Sequence, residues 1–159
     1  EEAVDLRQGG YMTIPHADCF DLTQPLTVVC RVKFEQPGTM PVVLSCGAWN
    51  QAGWFIQWLG NTWRWHVGGV DCDGGSPAIG QWIHLVGTFD GQRLQLFQDG
   101  TLVAERAGAC QLAPWPGDLH IGQYSGGPGP AYQVAGQVKD IQIYHRPLDE
   151  YEVQSLVKD

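Results

Sequence analysis

Apolar and polar residues alternate with a period of two through much of this chain, most clearly over residues 82–100, WIHLVGTFDGQRLQLFQDG. Ile83, Leu85 and Phe89 fall on one parity, with His84, Val86 and Thr88 on the other. Asp90-Gly91 follows, a pair that readily supplies the positive φ a hairpin turn needs. Leu94 and Leu96 then alternate with Gln95 and Phe97 until Asp99-Gly100 turns the chain again. This pattern predicts two short strands closed by a tight turn.

The same period recurs elsewhere. Over Leu26–Phe34, residues Leu26, Val28, Cys30, Val32 and Phe34 oppose Thr27, Val29, Arg31 and Lys33, as in a half-buried antiparallel strand. A second hairpin is predicted over 54–59 and 62–67, joined by Gly60-Asn61. Its parity sets Trp54, Ile56, Trp58, Trp63 and Trp65 against Phe55, Gln57, Arg64 and His66. Further strands are predicted at 11–14, 42–45, 102–106, 119–123 and 138–144, while residues 1–10 are polar and end in Gly-Gly. Residues 68–80 read as a long glycine-rich loop, and 148–157 as one or two helical turns. Turn signals at roughly ten-residue spacing imply a sandwich or barrel.

Composition narrows the choice. A chain of 159 residues is long enough for one domain, 1–159, with a two-sheet core. The formal charge of −8 argues against a nucleic-acid partner, which calls for a basic patch. No apolar run approaches the ~18 residues of a membrane span. No signal peptide is visible, so the chain reads as mature or excised from something larger. Five cysteines suit a secreted domain with one or two disulfides, with buried free thiols as the alternative. Cys46 and Cys72, both read as loop residues, are the first guess for a pair, and Cys30 packs in phase with the core.

The pattern W-x-H-L-V-x-T-F-D-G-x-x-L-x-L-F-x-D-G resembles the central hairpin of LamG-like domains among the concanavalin A-like lectin and glucanase jelly rolls. The upstream GGYMTIPHADCFDLTQPLTVVCRVKF resembles that family's opening strands. Downstream, GQVKDIQIYHRPLDEYEVQSL resembles its closing strand and C-terminal turn. The resemblance implies an all-β, two-sheet antiparallel jelly-roll sandwich, with the tryptophans of the second hairpin at core positions. It says little about function, because one jelly roll hosts unrelated activities.

The other parity of that hairpin is then a wet face. Gln57, Arg64 and His66 supply planar hydrogen-bonding groups and Phe55 an apolar ring, the mixture a sugar's hydroxyls and C–H face require. If the central hairpin shares the sheet, His84, Gln95 and Phe97 join this face. Trp49, Trp115 and Tyr124 are candidate aromatic rings at the loop rim, with Tyr132 flanking the same loop as Tyr124. A plain solvated sheet face and a Trp115 that caps the sandwich are the competing readings.

The resemblance also implies a structural calcium, held by the Asp that opens the last strand together with backbone carbonyls. The matching residue is Asp140, with Asp5 to Gly9 and Gly38 as neighbours. Asp71 and Asp73, paired carboxylates in a glycine loop, form a rival site. Catalysis is not indicated. The glucanase relatives carry E-x-D-x-x-E on one strand, whereas no Glu here lies between 36 and 104. No serine sits in G-x-S-x-G, and a lyase using His and Tyr is the remaining enzymatic reading. The expectation is a non-catalytic module of a secreted or cell-surface protein, part of a larger multidomain chain, that binds a polysaccharide or glycan. The alternative is a calcium-dependent protein-interaction or adhesion module.

Overall fold

The structure, a computed structural model, describes residues 2–159; Glu1, the first residue of the single domain read from the sequence, lies outside them. In chain order its elements are β1 (Val4–Asp5), β2 (Met12–Ile14), β3 (Leu26–Phe34), β4 (Val42–Ala48), β5 (Ala52–Leu59) and β6 (Thr62–Val67). There follow β7 (Val70–Gly74), β8 (Ile83–Phe89), β9 (Arg93–Gln98), β10 (Thr101–Ala107), β11 (Leu119–Ile121), β12 (Gly136–Tyr144) and α1 (Glu150–Lys158). Two six-stranded sheets result, in the orders β1-β12-β3-β8-β9-β10 and β2-β11-β4-β5-β6-β7. Every strand pairing within them is antiparallel, and the architecture is a jelly-roll sandwich.

The core lies between the sheets, where side-chain parity places it. Val28, Cys30, Val32 and Phe34 of β3 meet Trp54, Ile56, Trp63 and Trp65 of the opposing sheet, and all are buried. The indole N–H groups of Trp54 and Trp65 donate to the carbonyls of Phe20 and Thr88, both at 3.0 Å, so two rings enter the core with their polar edge satisfied. Gly87 of β8 makes room for Trp65. A Cβ there would lie 2.4 Å from the indole, so the ring can lie against bare backbone only at a glycine.

Four features depart from the sequence reading. Residues 70–74 form strand β7 rather than loop, extending the second sheet beside β6. Val4–Asp5, within the polar stretch given no strand, pairs with β12 at the sheet edge. The C-terminal helix is longer than one or two turns, spanning nine residues behind a capping box of Asp149 and Glu152. The fourth concerns the cysteines: all five are free thiols. Cys46 and Cys72 lie on β4 and β7, with β5 and β6 between them. Three strand spacings put them about 14 Å apart, too far for a disulfide. Both are buried among core residues, as is Cys30.

The central hairpin lies in the first sheet, not beside the second hairpin. His84 and Phe97 do point outward as their parity requires, but on the opposite side of the sandwich from Arg64. Phe97 is buried there against Val29, Val86, Leu148 just before α1 and Val153 within it, a small second core beneath the helix. His84 stands opposite Arg31 across β3 and β8. Neither can join the face carrying Gln57, Arg64 and His66.

Candidate functional site

The outer face of the second sheet is built from two cross-strand rows. One runs Gln57–Arg64–Asp73 across β5, β6 and β7, and the other runs Ser45–Phe55–His66–Asp71 from β4 to β7. Side chains directly opposite on neighbouring strands lie about 5 Å apart, so each row is a continuous line of contacts. The parity read from the sequence therefore holds for this hairpin.

The second row forms a floor. His66 is fully buried and stacks on Phe55, with centroids 4.6 Å apart and planes 16° from parallel. Its Nδ1 lies 2.7 Å from Asp71 Oδ1, and its Nε2 accepts N–H groups from Asn50 and Gly69, each at 3.3 Å. Nε2 is thus an acceptor, and the proton sits on Nδ1, donated to the carboxylate. Burial lowers the His66 pKa against the opposing pull of Asp71, in keeping with a neutral ring. His66 orients its surroundings rather than reaching a ligand.

The first row carries the exposed chemistry. Arg64 donates from Nε and Nη2 to the two oxygens of Asp73, each at 2.9 Å, with Asp71 Oδ1 3.5 Å from Nε. That pairing raises the guanidinium pKa and leaves Nη1 without a hydrogen bond among the described residues. Gln57, buried in the cavity lining, donates Nε2–H to the carbonyl of Met40 at 3.0 Å, which leaves its Oε1 as the amide's free acceptor.

Above these rows stand three loop aromatics. Trp49, 48% exposed, occupies the β4–β5 turn, donating its indole N–H to Asp71 Oδ2 at 3.3 Å. Tyr124 accepts the Trp49 backbone N–H at 2.6 Å and meets Phe55 edge to face, while Tyr132 lies 4.9 Å from Tyr124 between centroids. Burial raises the Tyr124 pKa, so its phenol keeps a proton to donate. Together with Met40 and Leu59, these groups enclose a cavity of about 340 Å³, within the range of small-ligand sites.

Side chains that sequence reasoning did not single out hold the aromatic wall in place. Buried Gln123 bonds the backbone N–H of Tyr124 and Gly129 through Oε1, and the Gly129 carbonyl through Nε2. Ser125 Oγ donates to the Gly47 carbonyl and accepts from the Gly47 N–H, so the Ser45 hydroxyl must be the donor in their 2.6 Å contact. The loop is stapled to β4. Asp71 and Asp73, read as a rival metal pair, instead anchor His66, Trp49 and Arg64.

Residues 6–154 match the sequence model of the Laminin_G_3 family, concanavalin A-like lectin/glucanases superfamily. The chain belongs to this family. A search of curated protein sequences found no match. Solved structures show the same fold at low identity. Trypanosoma rangeli sialidase in complex with a difluorinated KDN compound aligns with TM-score 0.71 and 19% identity, over 98% of this chain and 26% of the sialidase. The chain thus spans about a quarter of the sialidase's length. A heptameric SAP-like pentraxin from Limulus polyphemus aligns with TM-score 0.69 and 20% identity, over 91% of this chain and 72% of the pentraxin. A Bacteroides ovatus protein, provisionally assigned as carbohydrate binding, aligns with TM-score 0.72 and 10% identity, over 91% of this chain and 43% of its own. These identities show the fold, a lectin-like sandwich.

The remaining candidates lie elsewhere in this laminin G fold. Trp115 is half-buried and packs against the core, so the proline-flanked indole helps cap the sandwich and does not line the cavity. Asp140 sits at a bulge in β12 with φ of 54°, and its carboxylate pairs with Arg31 Nε at 2.9 Å. Asp5 bonds Arg7 and stands opposite Gln137, about 10 Å along the strand from Asp140. Gly38 packs near the Gln133 carbonyl and Pro41. Both carboxylates are thus engaged by arginines. Among the described residues, His16, Asp18 and Asp21 do place three liganding atoms within 4.8 Å of one another.

Proposed function

We propose that this chain is a non-catalytic carbohydrate-binding module that takes its glycan on the outer face of the second sheet. One observation carries the reading: three aromatic rings wall a cavity whose base offers both a hydrogen-bond acceptor, Gln57 Oε1, and donors, Arg64 Nη1 and Tyr124 Oη. A sugar presents C–H faces to rings and hydroxyls that donate and accept at once, so it matches both halves. Membership of a lectin-type family and the fold shared with a provisionally assigned carbohydrate-binding protein support the same reading.

The cavity's groups do not suit glycoside cleavage. That chemistry uses two carboxylates flanking the scissile bond, one of them poised as an acid. Asp71 and Asp73 are instead tied to His66, Trp49 and Arg64. We propose further that the module belongs to a secreted or cell-surface protein with additional domains.

A glycan array followed by calorimetry tests the reading. Binding that weakens at least tenfold in both Trp49→Ala and Tyr124→Phe supports it. A wild-type protein that binds no glycan, or variants that bind unchanged, overturns it.

A further inference from the structure

We propose that the cavity selects an uncharged sugar residue and disfavours uronic and sialic acids, although an arginine stands at its centre. The proposal rests on the carbohydrate-binding reading above and adds the substrate class. An arginine in a sugar site ordinarily suggests an anionic partner, because its fork matches a carboxylate. Here that charge is already answered from within the protein.

The Nε/Nη2 edge of Arg64 is filled by Asp73, and Asp71 Oδ1 lies a further 3.5 Å from Nε. His66, the other base on this face, is neutral and buried. One guanidinium against two carboxylates leaves the site negative, in a chain whose formal charge is −8. A ligand carboxylate reaching Nη1 would lie within several ångströms of both aspartates.

Hydrogen-bond polarity points the same way. Gln57 stands directly opposite Arg64 across β5 and β6, and its Oε1 is the acceptor left free in the cavity lining. A hydroxyl can donate to Gln57 while accepting from Arg64 or Tyr124. A carboxylate has only lone pairs to offer, so it leaves Gln57 unanswered. Arg64 is therefore a positioned donor for hydroxyls, and Asp73 is a specificity-determining residue that neutralises it.

The test compares matched oligosaccharides by calorimetry: glucosyl against glucuronosyl, galactosyl against galacturonosyl, and a desialylated glycan against its sialylated form. The neutral member of a pair is expected to bind at least three- to tenfold more tightly at low ionic strength, the scale of one screened like-charge contact. The gap should shrink in 0.5 M salt, where the Debye length is only about 4 Å. In Asp73→Asn the affinity ratio of acidic to neutral member should rise about three- to tenfold, over and above any loss both members share from the weakened hold on Arg64. Equal or tighter binding of the acidic members, or a gap that Asp73→Asn leaves unchanged, overturns the proposal and leaves the carbohydrate-binding reading standing. No binding across every pair overturns that reading, and the selectivity falls with it.

Discussion

Arg64 and Asp73 face each other across β6 and β7, joined by two parallel hydrogen bonds of 2.9 Å. The pair lies at the cavity's base with both side chains partly exposed, so its worth to folding is small, about 1 kcal/mol or less. Its worth to binding is larger, because it fixes the direction of the remaining Nη1 donors. Arg64→Ala is expected to leave the thermal midpoint within a few degrees and to weaken glycan affinity about tenfold or more. Arg64→Lys should restore little, since an ammonium cannot hold Asp73 through two bonds and still present a second nitrogen. Calorimetry with scanning of the same samples separates the two effects.

His66 is expected to behave in the opposite sense. Removing the ring leaves Asp71 Oδ1 without its closest donor and the Asn50 and Gly69 N–H groups without an acceptor, beside a vacated space under Phe55. His66→Ala should cost about 2–4 kcal/mol in chemical denaturation. His66→Phe keeps the stacking surface but none of the three hydrogen bonds, so it should recover only part of that loss. A substitution that leaves stability unchanged would remove His66 from the floor of the site.

How much of this was readable in advance follows from how parity propagates. Within a hairpin, register passes through a two-residue turn such as Gly60-Asn61, so the wet row of Gln57, Arg64 and His66 is legible from spacing alone. Between Gly74 and Ile83 the chain crosses to the other sheet. No local pattern marks that crossing, and His84 and Phe97 are assigned to the wrong face as a result. Strand β7 escapes notice because Asp71 and Asp73 are poor strand formers flanked by glycines, although they alternate with buried Cys72. The placement of Tyr124 depends on contacts from Ser125 to Ser45 and Gly47, nearly eighty residues away in sequence. Spacing carries no trace of such contacts.

The thiols give a third check. Burial pushes Cys30, Cys46 and Cys72 up to about 12, and Cys110 up to about 11, so the reactive thiolate is scarce at pH 8. Cys19 is exposed. A disulfide-exchange reagent should label Cys19 rapidly in the native protein, with Cys30, Cys46 and Cys72 following only at the rate of unfolding. All five should react in denaturant without a reductant. Fewer than five would mean that a disulfide had formed.

The last prediction concerns His84, beneath the C-terminal helix. Its Nδ1 is buried without a hydrogen-bond partner, and Arg31, opposite it on β3, donates to the carbonyls of Leu156 and Val157 at the end of α1. Burial first, then the neighbouring guanidinium, lowers the His84 pKa from 6.5 to about 4, against the weaker pull of Asp99 and Asp140. The unfolded chain therefore binds a proton between pH 6.5 and 4 that the folded chain refuses, and linkage fixes the sign. The contribution of His84 is fully present above pH 6.5 and is lost as pH falls towards 4. A neutral replacement such as His84→Leu should flatten this part of the stability–pH curve while leaving glycan binding unchanged, since His84 lies on the opposite sheet from the cavity. Urea denaturation of both proteins at pH 7, 5.5 and 4 measures it. Parallel curves for the two would show that His84 ionises alike in the folded and unfolded chain.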